Sequence, residues 1–221
     1  MLHKRIIPFI LLWWAVLSAH AQYNFLQPEL GIGISQGVNL LPRVGFKPKV
    51  KQAFDVRYHG GITLRYVIQK HFGLQAEINY TQLGWKETDD NGTFKRRLDY
   101  IEIPFLSHLV FGRKTARAII HLGPEIRFLA GESVSGDTNG GTQRALPVAR
   151  RFDFGLTAGT GLEIKTQKAG FFLLEARYNF GITDLFDSNP GADFTRSGNQ
   201  NILVSFTYLY DVLKFKKHHH E

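Results

Sequence analysis

The sequence predicts an all-β fold, an eight-stranded antiparallel up-and-down transmembrane β-barrel. Three observations carry that expectation. The stretch Phe72 to Tyr80 reads FGLQAEINY, with Phe72, Leu74, Ala76, Ile78 and Tyr80 on one face and Gly73, Gln75, Glu77 and Asn79 on the other. Strict alternation is the mark of a strand with one apolar and one polar side. The pattern recurs along the chain in segments of about nine to eleven residues, enough for a tilted strand to cross a bilayer. The connections between segments alternate long and short, as they do when short turns face one side of an outer membrane and long loops the other.

The elements follow in order. Strand one covers about Glu29 to Val38, with Leu30, Ile32 and Ile34 on the apolar face and Gly31, Gly33 and Ser35 opposite. A loop follows, with Pro42, Pro48, Arg43, Lys47, Lys49 and Lys51. Strand two covers about His59 to Ile68, with Thr63 and Arg65 inward, and Gln69-Lys70 turns into strand three, the opening stretch. Asn91-Gly92 then marks a hairpin tip, so strands three and four are expected to project as a ribbon. Strand four covers about Asp99 to Phe111 and strand five about Ala116 to Leu129. Pro104 and Pro124 lack a ladder donor and predict a bulge nearby. Ala130 to Arg151, rich in Gly, Ser and Thr, reads as a loop. Strand six covers about Phe152 to Ile164 and strand seven about Phe171 to Ile182. A loop from Thr183 to Gln200 leads to strand eight, about Asn201 to Val212.

The 221 residues suit one domain, and the absence of cysteine removes disulfides and thiolate sites. Residues 1–21 read as a signal peptide: His3, Lys4 and Arg5, an apolar run from Ile6 to Leu17, then Ala19-His20-Ala21 as a cleavage site. The run is too short for a membrane-spanning helix, which needs about 20 apolar residues. The barrel is expected over residues 22–213, with a basic, His-rich tail at 214–221. Without the leader the chain holds 25 basic and 19 acidic residues, and the basic excess is spread over separate loops. That spread argues against nucleic acid and fits solvated loops or contact with anionic lipid head groups, including lipopolysaccharide. Aromatic residues gather in two girdles: Tyr66, Phe72, Phe111, Phe172, Tyr208 and Tyr210 toward the short-turn rim, and Tyr80, Phe128, Phe154 and Phe180 toward the long-loop rim.

The inward face carries the chemistry. Arg65, Glu77, Glu102, Glu125, Arg127, Glu163, Glu175 and Arg177 form a predicted lumen charge network. An eight-stranded barrel is just wide enough for side chains to fill it. Arg65 and Glu77 are diagonal neighbours across the strand two to three turn. Two registers are open for strands four and five. One sets Glu102 against Arg127 and His108 against His121; the other sets Glu102 against Glu125. The first is preferred, because opposed like charges destabilise a sheet. A filled lumen is the primary reading and an ion path the alternative. Inward glycines make room for the long side chains.

Catalytic and metal readings are weaker. His108 and His121 lack a third ligand at zinc spacing. Ser107 faces away from His108, and Ser205 has no assignable histidine, which argues against a Ser-His lipid-modifying enzyme. Asp89, Asp90 and Asn91 fall short of a calcium loop. No catalytic residue, metal ligand or cofactor is expected.

The stretches Gly60 to Lys86, Leu98 to Gly112, His121 to Gly131 and Ala176 to Asp211 resemble the PorT-type outer-membrane β-barrel family. The resemblance implies an eight-stranded barrel in the outer membrane, reached by export. Through the family's namesake it implies a link to a protein secretion apparatus. The expected function is a non-catalytic scaffold that displays extracellular loops to a secretion or envelope partner. The alternatives are a narrow pore or a lipid-modifying enzyme.

Overall fold

A computed structural model describes residues 28–47, 51–89, 92–112, 115–136, 148–166, 169–186 and 195–213. The leader and the His-rich tail predicted from the sequence lie outside these residues. Eight strands run in chain order: β1 Glu29–Lys47, β2 Val56–Gln69, β3 Phe72–Asp89, β4 Gly92–Phe111, β5 Ala116–Gly136, β6 Phe152–Lys165, β7 Phe171–Asp184 and β8 Arg196–Asp211. Each pairs antiparallel with the next, and β1 pairs with β8 to close the barrel. Closure leaves no sheet edge, which a bilayer demands because it offers backbone groups no water.

The alternation read from the sequence sets the two faces. Ile34, Ile62, Leu74, Ile78, Leu122, Leu162 and Phe206 point outward and are exposed, whereas Ser35, Thr63, Arg65, Glu77, His121 and Glu163 are buried inside. An apolar outside and a polar inside invert a soluble fold and match hydrocarbon. Outward aromatics collect at both ends. Phe172 lies 5.2 Å from Tyr208 near the short turns. Phe128 lies 5.3 Å from Phe152, and Tyr58 lies 6.3 Å from Tyr80, near the long loops.

The strands run further than the sequence suggested. β1 continues through Arg43 to Lys47, paired with β8 from Gln200 to Arg196, where loops were expected. β5 continues past Leu129 to Gly136, so the loop predicted from Ala130 begins later. β3 and β4 pair up to Asp89 and Gly92, which makes the predicted ribbon; the residues between them, Asp90 and Asn91, lie outside the described residues. Gly-, Ser- and Thr-rich composition signals a loop only where the partner strand also stops, and here the partner supplies hydrogen bonds that the composition does not reveal. The first short turn is Lys70-His71 rather than Gln69-Lys70, because Gln69 pairs with Phe72 after a register shift.

The bulges also lie elsewhere. Pro104 pairs with Glu125 and Ser107 with Leu122 in one unbroken register, so no shift occurs at the prolines. A missing donor is tolerated there without inserting a residue. The shift falls between Asp99 and Tyr100, where β5 holds Ala130 as the extra residue, and between Leu40 and Arg43 on β1. Leu41 takes the left-handed conformation at φ 50. That conformation costs a non-glycine residue about 1 kcal/mol and marks a true bulge. Beyond it Val44 turns inward and Arg43 outward.

Candidate functional site

The β4–β5 register places Glu102 opposite Arg127 and His108 opposite His121. Built on that register, the lumen divides into layers along the barrel axis.

At the short-turn end Val110, Ile119, Phe171, Leu173 and Leu209 form a buried apolar cluster. Three cations surround the Phe171 ring. The Arg65 guanidinium lies 4.5 Å from its centroid, Lys165 5.5 Å and Arg117 5.8 Å. Cations over an aromatic face are attracted by its quadrupole. Glu163 binds both Arg65 and Arg117, and Glu29 binds Lys165 and lies 3.3 Å from Arg117.

The middle layer is a chain of hydrogen bonds. His108 Nδ1 meets His121 Nε2 at 2.7 Å, and His121 Nδ1 meets Glu175 Oε1 at 2.5 Å. Arg177 donates to Glu175 at 2.8 Å and to both oxygens of Glu77 at 2.9 and 2.6 Å. Gln75 and Asn79 also donate to Glu77, at 2.6 and 2.8 Å. The backbone of Gly159 makes room for this layer. A Cβ there would sit 2.6 Å from Arg177 Cγ and 2.9 Å from Glu175 Oε1.

Above it, Arg127 gathers three carboxylates. Its Nε donates to Glu102 at 3.0 Å and one Nη to Asp153 at 2.9 Å, while the other Nη binds Glu125. Asn199 donates to Asp153 at 2.9 Å and to the Tyr100 hydroxyl at 3.3 Å. At the long-loop end Val44, Leu83, Trp85, Phe94, Leu98, Tyr100, Leu185 and Phe186 form a second apolar cluster. Phe186 meets Trp85 edge to face at 6.2 Å, and the Arg96 guanidinium lies 5.4 Å from each ring.

All eight residues singled out from the sequence are buried in the lumen. Glu102 binds Arg127, as the preferred register implied, but Arg65 and Glu77 find other partners. Arg65 and Glu77 are diagonal in register, since Arg65 faces Gln75 and Thr63 faces Glu77. Yet Arg65 binds Glu163 on β6, and Glu77 binds Arg177 on β7. Long side chains extend from the wall toward the axis of a narrow barrel, so they meet the opposite wall. The flanking Gln75 and Asn79 amides meanwhile satisfy Glu77 on its own strand. The two histidines contact each other nitrogen to nitrogen, one ring N–H donating to the other ring's lone pair, which leaves neither of those nitrogens to hold a shared metal. Ser205 faces Glu175 across the β7–β8 ladder, while both ring nitrogens of His121 are engaged by His108 and Glu175.

The apolar end layers were not anticipated. Their signal was present: Leu83 and Trp85 continue the phase of Glu77, Asn79 and Thr81; Val110 continues that of His108; Leu173 precedes Glu175 by one full pleat. Counting phase past the expected end of strand three would have found Leu83 and Trp85, and counting it within strands four and seven would have found Val110 and Leu173.

A closed ring of eight antiparallel strands, apolar outside and charged inside, defines an outer-membrane β-barrel. Residues 21–187 match the outer membrane protein beta-barrel domain, and the chain belongs to that family. It is a protein of the outer membrane. Among solved structures it is similar to neisserial surface protein A, NspA, at 13% identity, covering 83% of this chain and 96% of that one with a TM-score of 0.45. It is also similar to Ail, the attachment invasion locus protein of Yersinia pestis, in complex with the heparin analogue sucrose octasulfate. That match has 14% identity, covers 83% of this chain and 97% of that one, and has a TM-score of 0.40. No curated protein matches the chain.

Proposed function

We propose that this barrel is a non-catalytic scaffold, exported by a cleaved signal peptide, that displays its long-loop end to a secretion or envelope partner while seated in anionic outer-membrane lipid. One observation carries the reading. Among the described residues the lumen is occupied in layers, with an apolar cluster at each end and an ion-paired middle. Such a filling favours a rigid support over a water-filled path. The engagement of both His121 nitrogens supports a structural role for that ring over activation of a nucleophile. The resemblance of Gly60 to Lys86 and Ala176 to Asp211 to PorT-type barrels is the reason to place a secretion component among the partners.

The test is capture of the tagged protein from mild-detergent outer-membrane extracts, with its companions identified by mass spectrometry, beside planar-bilayer recording. Reproducible enrichment of envelope or secretion components and a silent bilayer are expected. Stepwise conductance from the wild-type protein would favour the pore. Altered lipid A or phospholipid species on overproduction would favour the enzyme.

A further inference from the structure

Above the long-loop aromatic girdle, the outer wall carries a polar cleft of about 330 Å³. Arg57, Lys95, Arg97, Asp55 and the hydroxyl residues Ser133 and Ser135 line it. It arises where β2 and β3 part. Their pairing stops at His59 and Thr81, while β3 and β4 continue as a ribbon. Arg57 fills the gap, donating to the Arg96 carbonyl at 3.2 Å.

The charges are arranged unevenly with depth. Arg57 lies 2.7 Å from Asp55, Lys95 lies 3.6 Å from Asp55, and Arg97 lies 3.3 Å from Asp99. Lys95 and Arg97 leave 46% and 47% of their side chains exposed, while Asp55 and Asp99 expose only 10% and 13%. The carboxylates therefore sit beneath and the cations at the mouth. On the same outward face Lys86 pairs directly with Lys95 across β3 and β4. Opposed like charges destabilise a sheet, and an anion at the mouth would relieve that repulsion.

Height fixes what anion this is. Ile101 on β4 faces Tyr80 and Phe128, the girdle residues of the neighbouring strands. Arg97 and Lys95 follow on the same face, roughly 10 and 15 Å further out for a strand of about 3.3 Å rise tilted by about 40°. Aromatic girdles mark the membrane–water boundary, so both cations lie in the polar zone outside the hydrocarbon, with Arg97 the nearer to the head groups. We propose that this cleft binds the phosphate head group of an anionic outer-leaflet lipid. Arg97 and Lys95 supply charge-assisted hydrogen bonds and Ser133 and Ser135 neutral ones. The inference rests on the reading of the protein as a barrel seated in anionic lipid, and it names where one such lipid is held.

The experiment uses the full-length barrel in nanodiscs doped with diphosphorylated or dephosphorylated lipid A, with bound lipid counted by native mass spectrometry. The Lys95→Gln/Arg97→Gln variant is expected to lower retention of the diphosphorylated form by about tenfold and to leave the dephosphorylated form unchanged. Replacing Arg150 and Arg151, exposed cations at the same end of the barrel, by Gln serves as the control. It is expected to have less than about a twofold effect. Equal loss in both variants, or no loss in the first, overturns the cleft. Loss of binding to inorganic phosphate or a sulfated oligosaccharide without loss of lipid overturns the lipid source. A Lys95→Ala/Arg97→Ala pair repeats the test should the glutamines impair folding, judged by the heat-modifiable band. Release of wild-type protein from membranes without detergent would instead remove the membrane reading beneath.

Discussion

Arg177 crosses the lumen from β7 and holds both carboxylate oxygens of Glu77 on β3, at 2.9 and 2.6 Å. The two strands share no edge, so this fork ties opposite walls together. A planar guanidinium matches a carboxylate in this way and a lysine does not. Arg177→Lys should therefore lose much of the stability that Arg177→Met loses. The expected cost of Arg177→Met is about 3–5 kcal/mol, because Glu77 and Glu175 are left buried without their cation. Urea unfolding in lipid vesicles would measure both; a lysine variant as stable as wild type would contradict the fork.

The pairing of Arg65 separates two geometries. A double-mutant cycle between Arg65 and Glu163 should give a coupling of about 1–3 kcal/mol, while one between Arg65 and Glu77 should fall within about 0.5 kcal/mol of additive. Strong coupling across the Lys70-His71 turn would restore the diagonal pair that the sequence suggested.

Among the described residues Arg127 is the single guanidinium bound to Glu102, Glu125 and Asp153. Arg127→Leu should be among the most disruptive single changes, at about 3–5 kcal/mol or more, since three carboxylates then face one another. Adding Glu125→Gln to that variant should recover part of the loss. A wild-type midpoint for Arg127→Leu alone would show that the cluster carries no strain.

Gly159 leaves no space for a side chain beside Arg177 and Glu175. Gly159→Ala should cost about 1–3 kcal/mol by overpacking. Gly131→Ala should be near neutral, because its Cβ would meet only Asp99 at ordinary contact distances of 3.5 and 3.7 Å. Matched melting curves of the two variants decide the point, and equal melting would refute it.

Leu122 faces outward on β5, roughly midway between the girdle levels of Phe111 and Phe128, and is 57% exposed. Leu122→Arg should cost about 2–4 kcal/mol, the penalty of a cation on the lipid face near the midplane. A neutral effect on refolding stability in vesicles would place Leu122 outside hydrocarbon.

The sequence determined the strand count, the antiparallel order and the inward or outward side of nearly every residue in the membrane. Period two leaves no freedom: once Leu74, Ala76 and Ile78 face lipid, Gln75, Glu77 and Asn79 must face the lumen. The cost of opposed like charges likewise makes Glu102 opposite Arg127 the preferred register from the sequence alone. Tertiary structure decided where the strands end, because Arg43 to Lys47 and Ala130 to Gly136 are held by partners that composition cannot name. It decided the bulges at Leu41 and Ala130, which depend on how neighbouring ladders fit. It also decided which ions pair. Side chains that look like diagonal neighbours along one hairpin reach instead across the lumen, since closing eight strands brings opposite walls within the combined reach of an arginine and a glutamate.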